Sequence, residues 1–387
     1  MRRGETGRYE VSSIAGEAVR AFIPSPLPPE PSLVLDGRSH QALESAGLAL
    51  GRLDGVSTLL PDKSMFLYAY VRKEAVVSSQ IEGTQSSLSD LLLFELDEAP
   101  GVPMDDVVEV SNYVAALEHG MARLREGFPI SNRLICEIHG VLLSRGRGSG
   151  KDPGEFRRSQ NWIGGTRPGN ADFVPPPPAQ VPDSMAALEA FLHAERADLP
   201  EIIRAGLAHV QFETIHPFLD GNGRVGRLLI TLFLCHAGVL REPLLYLSLF
   251  FKTNRSSYYD LLERTRREGD WEAWMAFFLE GVRVTGEGAV STAHRIVEMF
   301  GADRAKIEDK GRRAGSALRV HEAMKSRPIT SMANVCRSTS LSFPAASSAM
   351  ELLVDLGITR ELTGKRRNRL FAYNGYLTIL NEGTEAP

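Results

Sequence analysis

The stretch HPFLDGNGRVGR, residues 216–227, sets one imidazole, one carboxylate, three glycines, one asparagine and two arginines within twelve residues. The segment ahead of it, 201–214, repeats Ile203, Leu207 and Val210 along one face at helical spacing. The segment behind it, VGRLLITLFLCHAGVL, is apolar all round, as in a buried central helix. The quoted stretch is therefore a bend between two helices. N–H groups at the start of the second helix have no intrahelical acceptors and carry the positive end of its dipole, so an anion belongs there.

Gly221 and Gly223 are expected to take positive φ and bring a nest of amides up to a phosphate. Arg224 and Arg227, three apart on one face, add forked contacts to further phosphate oxygens. Asp220 supplies one carboxylate beside the nest, which suits Mg²⁺ shared with substrate phosphates. His216 titrates near neutrality when unperturbed and is the candidate general base for a hydroxyl attacking phosphorus. Phe218 is expected to anchor the loop in the core. DGNGR is not an EF-hand loop, because Arg224 stands at position five and no Glu at position twelve. No GxxxxGK[ST] stretch occurs, which argues against a P-loop nucleotidase.

The 387 residues suffice for two or three domains, and 43% hydrophobic with 24% charged residues is the balance of a globular chain. A formal net charge of −4 gives no global case for nucleic acid or membrane surfaces. Cys136, Cys235 and Cys336 match no metal spacing, and a reducing cytoplasm is the expected compartment. The amino terminus lacks a secretory apolar segment, and the longest apolar run, 228–235, is too short to cross a bilayer, so no membrane partner is expected.

Outward from the bend, IPSPLPPEP (23–31) reads as an extended surface arm. Phe66, Tyr70, Val77 and Ile81 predict a helix from Met65 that Gly83 closes, and Ser87 with Asp90 has capping-box spacing for the next. Helical periodicity fills 105–145, 181–196 and 201–214. Between them NWIGG and ADFV, within 157–178, read as a hairpin of two short strands, and GADRAKIEDKGRRAG (301–315) reads as a charged linker.

The stretch 216–227 resembles the signature of the Fic family, HxFx(D/E)GNGRxxR, at every defined position. The resemblance covers roughly 65–285 and implies a mostly helical Fic-type core with a β-hairpin flap at 157–178, which holds a target segment by strand addition. It implies transfer of AMP from ATP, with Mg²⁺, to a Ser, Thr or Tyr hydroxyl of a target protein or of the chain itself. His216 would be the base, Asp220 the Mg²⁺ ligand, and Gly221, Asn222, Gly223, Arg224, Val225, Gly226 and Arg227 the phosphate cradle. NRSSYYDLL (254–262) resembles the stretch lining the nucleoside pocket, with Tyr259 rather than Tyr258 as the expected contact; both also suit core aromatics. SSQIEG (78–83) fits the family's inhibitory pattern (S/T)xxxE(G/N) through Ser78, Glu82 and Gly83, and Arg227 is the partner it implies for Glu82. Hydrolytic removal of AMP from a modified protein is the alternative within enzymes.

Residues 312–380 carry eleven Lys and Arg against four Asp and Glu, a formal +7 that leaves −11 for the rest. Three short helical patterns, ITREL, a basic turn TGKRRNR, and LFAYNGYLTIL as the second strand of a wing resemble a winged-helix (α+β) domain. Lys365, Arg366, Arg367 and Arg369 are its candidate DNA-phosphate contacts, which keeps a nucleotide-sensing DNA-binding regulator open as a second function class. The expected organisation is an amino-terminal arm and inhibitory region (1–105), a catalytic core (106–300), and a linker with winged helix (301–387). A homodimer is left open.

Overall fold

The computed structural model describes residues 3–14, 16–59, 63–96, 103–195, 198–365 and 367–384. In chain order the elements are β1 (Gly7–Ile14), β2 (Glu17–Pro24), α1 (Gly37–Leu59), α2 (Lys63–Ile81), α3 (Leu88–Phe94), α4 (Met104–Arg125), α5 (Asn132–Leu142), α6 (Val181–His193), α7 (Glu201–Ile215) and α8 (Asn222–His236). There follow α9 (Ser248–Thr253), α10 (Arg255–Glu268), α11 (Trp271–Glu308), α12 (Ala314–Ser326), β3 (Ile329–Ser331), α13 (Met332–Thr339), α14 (Phe343–Asp355), β4 (Thr359–Glu361), β5 (Leu370–Tyr373) and α15 (Asn374–Asn381). They fall into two compact units, 1–54 with 111–286 and 55–110 with 287–387.

The first unit is built on α7 and α8. α7 buries every residue from Ile202 to Ile215, and α8 buries Asn222 and Arg224 to Leu234, so both are central, as their apolar runs predict. Gly206 of α7 has no room for a Cβ, which would meet Phe278 at 2.9 Å, and its carbonyl accepts the Trp274 indole N–H at 2.9 Å.

The amino-terminal arm is not simply extended. Ahead of the prolines, β1 and β2 form an antiparallel hairpin in the register Tyr9↔Phe22 and Val11↔Arg20. Val19 and Ala21 pack with Val174, and the Phe22 N–H donates to Val174 O at 2.9 Å. The hairpin thus backs the segment expected to be the flap. After the prolines α1 starts where Asp36 Oδ1 accepts the Ser39 N–H at 2.8 Å, a side-chain cap followed by buried Ala46, Ala49, Leu50 and Leu53.

The 157–178 hairpin contracts to a single antiparallel bridge, Ile163↔Phe173, in which each N–H donates to the other's carbonyl, at 2.8 and 3.1 Å. Gly164 and Gly165 lie at positive φ and Pro175 to Pro178 have no N–H to donate, so no longer ladder forms.

In the second unit α2 begins near the expected residue and buries Phe66, Tyr70, Val77 and Ile81; Gly83 follows at φ +101°. Ser87 and Asp90 make the predicted capping box on α3. Residues 301–308 are not linker but the last turns of α11: Ile307 is buried, and Arg304–Glu308 and Asp303–Lys306 pair at helical spacing. From Ala314 the order is helix, strand, two helices, two strands, helix, with antiparallel sheet order β3-β5-β4. The second strand of the expected wing stops at Tyr373, because Tyr376, Leu377, Ile379 and Leu380 bury one face of α15. Lys365 and Arg367 are exposed, Arg369 is tied to Glu361 at 2.6 Å, and Arg366 lies outside the described residues.

Candidate active site

α7 ends at His216, which takes the left-handed conformation (φ 50°, ψ 61°) while its N–H still donates to Phe212 O at 2.9 Å. A side-chain-bearing residue is uncommon there, and holding it costs about 1–2 kcal/mol. Buried Arg157 supplies the hold. Its Nε donates to His216 O at 2.9 Å, its Nη groups reach Ser159 O and Pro176 O, and its own N–H donates to Pro217 O at 2.9 Å. One guanidinium thus ties the end of α7 to both ends of the 157–178 segment. Burial lowers its pKa to about 10, so it stays charged at neutral pH.

The bend itself is a packed object. Phe218 is buried and stacks on His139, ring centroids 3.7 Å apart and planes within 6°. Asn222 closes it in both directions, its Oδ1 accepting the Phe218 N–H and its Nδ2 donating to Phe218 O, each at 2.9 Å. Asn161 Nδ2 donates to Phe218 O at 3.2 Å. His139 accepts the Gly154 N–H on Nδ1 at 2.9 Å and therefore donates from Nε2 to Asp220 O at 3.1 Å.

Gly221 is left-handed (φ 77°) and opens α8 with no side-chain cap, so the positive helix end faces the bend. Gly223 does not take positive φ: it lies in the first helical turn, where its use is to present main chain with no side chain over it. The Val225 N–H goes to Gly221 O at 3.0 Å and the Gly221 N–H to Asp220 Oδ1 at 2.6 Å. By helix geometry the first-turn amides, those of Asn222 and Gly223 among them, have no intrahelical acceptor. Arg224 and Arg227 are buried on the same helix, Arg224 Nη2 donating to Asp220 Oδ1 at 3.2 Å.

Asp220 is partly exposed, and a Cβ on Gly148 would stand 3.0 Å from its Oδ2, so Gly148 keeps that oxygen approachable. No group of three or more His, Cys, Asp or Glu suited to a metal occurs among the described residues. A lone carboxylate beside a phosphate cradle fits Mg²⁺, which keeps its waters and shares substrate oxygens, better than an ion needing a full protein cage.

Gly226 stands where α8 crosses α7: a Cβ there would meet Glu213 Oε1 at 2.5 Å and Phe212 Cδ1 at 3.2 Å. Gly226→Val is expected to destabilise the protein by about 1–3 kcal/mol through overpacking, read as a lower urea midpoint. One turn away, His209 donates from Nδ1 to Gly226 O at 3.1 Å and accepts from the Tyr258 hydroxyl at 2.9 Å. Tyr258 is thereby a core residue, whereas Tyr259 is 42% exposed, with Arg255 5.7 Å from its ring.

Ser78, Glu82 and Gly83 belong to the other unit, where Ser78 is buried in α2 and Glu82 is exposed just past its last residue. Arg157, His139, Asn161 and His209 carry no expectation in the sequence, although Arg157 sits in the polar run GEFRRSQN beside the glycine-rich loop.

The Fic/DOC family N-terminal model matches residues 40–122, and the Fic/DOC family model matches 129–234, which contains α7, the bend and most of α8. Residues 40–122 and 129–234 thus carry Fic/DOC family domains. Two curated relatives, each named protein adenylyltransferase Fic, are similar to it: that of Culex quinquefasciatus is 31% identical over 62% of this chain and 47% of its own length. That of Drosophila yakuba is 30% identical over 64% and 46%. The chain spans about half the length of these curated relatives. A Fic family protein from Desulfovibrio desulfuricans shares the fold with TM-score 0.56 at 20% identity, covering 89% of this chain and 98% of that one. A structure of Fic-1 from C. elegans does so with TM-score 0.52 at 22% identity, over 66% and 72%. No described helix is long and apolar enough to cross a membrane.

The buried histidines of this Fic core give it an acid limit. Burial lowers His139 to about 4 and His209 to about 3, against an ordinary 6.5. The unfolded chain therefore takes up protons the native fold refuses. Stability is full above pH 6.5 and falls from 6.5 toward 4, by about 1.4 kcal/mol per pH unit for each histidine. Urea midpoints measured at pH 7 and pH 5 check this; equal midpoints would contradict it.

Proposed function

We propose that the protein is an Mg²⁺- and ATP-dependent adenylyltransferase that transfers AMP to a hydroxyl side chain of a target protein, restrained by Glu82 in its own chain. The observation that carries this is His216, fixed in a left-handed cap by Arg157 and followed within one bend by Gly221 and the uncapped start of α8. The amides of Asn222 and Gly223 with Arg224 and Arg227 would cradle the phosphates, and Asp220 would hold Mg²⁺, which supplies charge neutralisation on phosphate oxygens. His216 would take the proton of the attacking hydroxyl, and pyrophosphate would leave. The extended pairing at Ile163↔Phe173 supports reading this segment as the flap that would align a target segment by main-chain pairing. Incubation with ATP labelled at the α-phosphorus tests the proposal: transfer of label to protein is expected, and none from either the wild type or Glu82→Gly would overturn it.

We further propose that residues 314–381 form a winged-helix module that contacts DNA. Support comes from its element order, its β3-β5-β4 sheet and the exposed Lys365 and Arg367. Duplex binding by the full chain, weakening steeply with salt, is expected; no binding at low salt would leave a protein-docking module.

A further inference from the structure

In the unit formed by 55–110 and 287–387, a cavity of about 220 Å³ opens beside α2. Its walls are Met65 and Phe66 of α2, Ile296, Val297 and Phe300 of α11, and Tyr376 of α15. An apolar cavity of about 150 Å³ already takes benzene and stays dry without it, so this volume admits a bicyclic ring or a medium alkyl chain. The aromatic wall is braced from behind. Phe300 meets Tyr376 edge-on at 5.1 Å and packs 5.6 Å from Tyr373, whose hydroxyl donates to Asp303 at 2.9 Å and accepts from His321 Nε2 at 2.8 Å.

Gly301 also lines the cavity. It stands inside α11, where glycine is a poor helix former, and a Cβ added to it would meet nothing within 4 Å. Packing does not ask for a glycine there; its missing side chain leaves the cavity open. The charged groups on its walls are Arg304, Lys325 and Glu322. Lys325 donates to Glu322 at 2.7 Å, and its Nζ stands 5.1 Å from the Phe300 ring. Arg304 is held by an exposed helical pair with Glu308 at 2.9 Å, a solvent-screened pairing that binds weakly, so the Arg304 guanidinium is the group an anion would take.

We infer that this cavity binds a small carboxylate with an apolar, flat body, and that its occupancy biases the end of α2 that carries Ser78 and Glu82. Two routes lead there from the cavity walls, one along a helix and one closed by a hydrogen bond. α2 runs from Phe66 to Ser78, about 18 Å at helical rise. From Tyr376, α15 leads to Thr384, whose carbonyl accepts the Gln80 Nε2 at 2.9 Å; the same amide nitrogen donates to Ser86 O at 2.9 Å. A ligand that tightens Phe66 against Tyr376 thus acts on both supports of the SSQIEG segment. The regulatory half rests on the proposed role of Glu82; the binding half does not.

The test uses the full chain with indole-3-acetate as probe and indole as its neutral counterpart. Saturable binding by calorimetry and a raised Tm are expected for the wild type, with indole at least tenfold weaker. Gly301→Leu, which fills open space in a helix, is expected to fold with an unchanged or higher Tm and to lose binding at least tenfold. Absence of wild-type binding at millimolar probe, or equal binding by Gly301→Leu, overturns the site; equal affinity for indole overturns the carboxylate. With label transfer as readout, the probe is expected to change the wild-type rate at least threefold and to leave Glu82→Gly unchanged. Binding without that difference overturns the coupling, whereas absence of labelling in every sample strikes the transferase proposal and leaves the binding result standing.

Discussion

His216→Ala and His216→Asn are both expected to lower the initial rate of label transfer from α-labelled ATP by about 10²–10⁴, the range a positioned general base supplies. The two variants separate chemistry from backbone. His216 is left-handed, a conformation that costs alanine about 1–2 kcal/mol and that asparagine accepts more readily. Alanine should therefore lower Tm as well as rate, and asparagine the rate with little change in Tm. Nucleotide affinity should survive in His216→Asn, because the amides and arginines at the start of α8 are untouched. If that variant retained more than a tenth of wild-type labelling, proton abstraction would have to be assigned elsewhere.

The sequence carries the centre of the molecule more clearly than its margins, and the reason is range. α7 and α8 are legible because apolar residues recur at helical spacing along one face of the first and on every face of the second, and the intervening bend is dense in glycine. Phe218 as anchor follows from one aromatic among polar neighbours, and it is indeed buried. The β1–β2 hairpin is harder to see. Its alternation, with Gly16 at positive φ between the strands, is short and runs into the prolines behind it. LFAYNGYLTIL has the composition of a strand throughout, and only tertiary burial of Tyr376, Leu377 and Leu380 turns its second half into α15. Residues 301–308 look like linker because they are charged, yet their charges lie at i,i+3 and i,i+4 spacing and pair along a helix.

Arg157 marks the limit more sharply. Its acceptors are main-chain carbonyls of Ser159, Pro176 and His216, groups every residue has. No choice of side chain at those positions announces the contact, so nothing in a single sequence distinguishes Arg157 from Arg158 beside it. The fold makes the distinction by burying one and exposing the other. His139 is similar: its partners are the N–H of Gly154 and the carbonyl of Asp220.

Glu82→Gly is expected to raise the initial rate of AMP transfer by about 10², the gain when a state populated near 1% becomes the dominant one. Attraction to an exposed carboxylate cannot by itself supply such a restraint. An ion pair of an exposed glutamate is worth about 0–1 kcal/mol, while reversing a 1:99 population takes about 5.5 kcal/mol. The proposed inhibition would then come from what the carboxylate excludes: held where the γ-phosphate belongs, it would leave ATP bound with its α-phosphorus out of line for attack. Two consequences follow that a simple electrostatic brake would not give. The rate gain should appear in kcat with a smaller change in the KM for ATP, and Glu82→Gln, which keeps the shape and loses the charge, should recover only part of it. Glu82 is exposed and lies beyond the last residue of α2, with Gly83 at φ +101° after it, so neither substitution removes buried packing and Tm should move little. Equal labelling rates for wild type and Glu82→Gly, with both proteins folded, would remove the restraint from the mechanism and leave the constitutive enzyme.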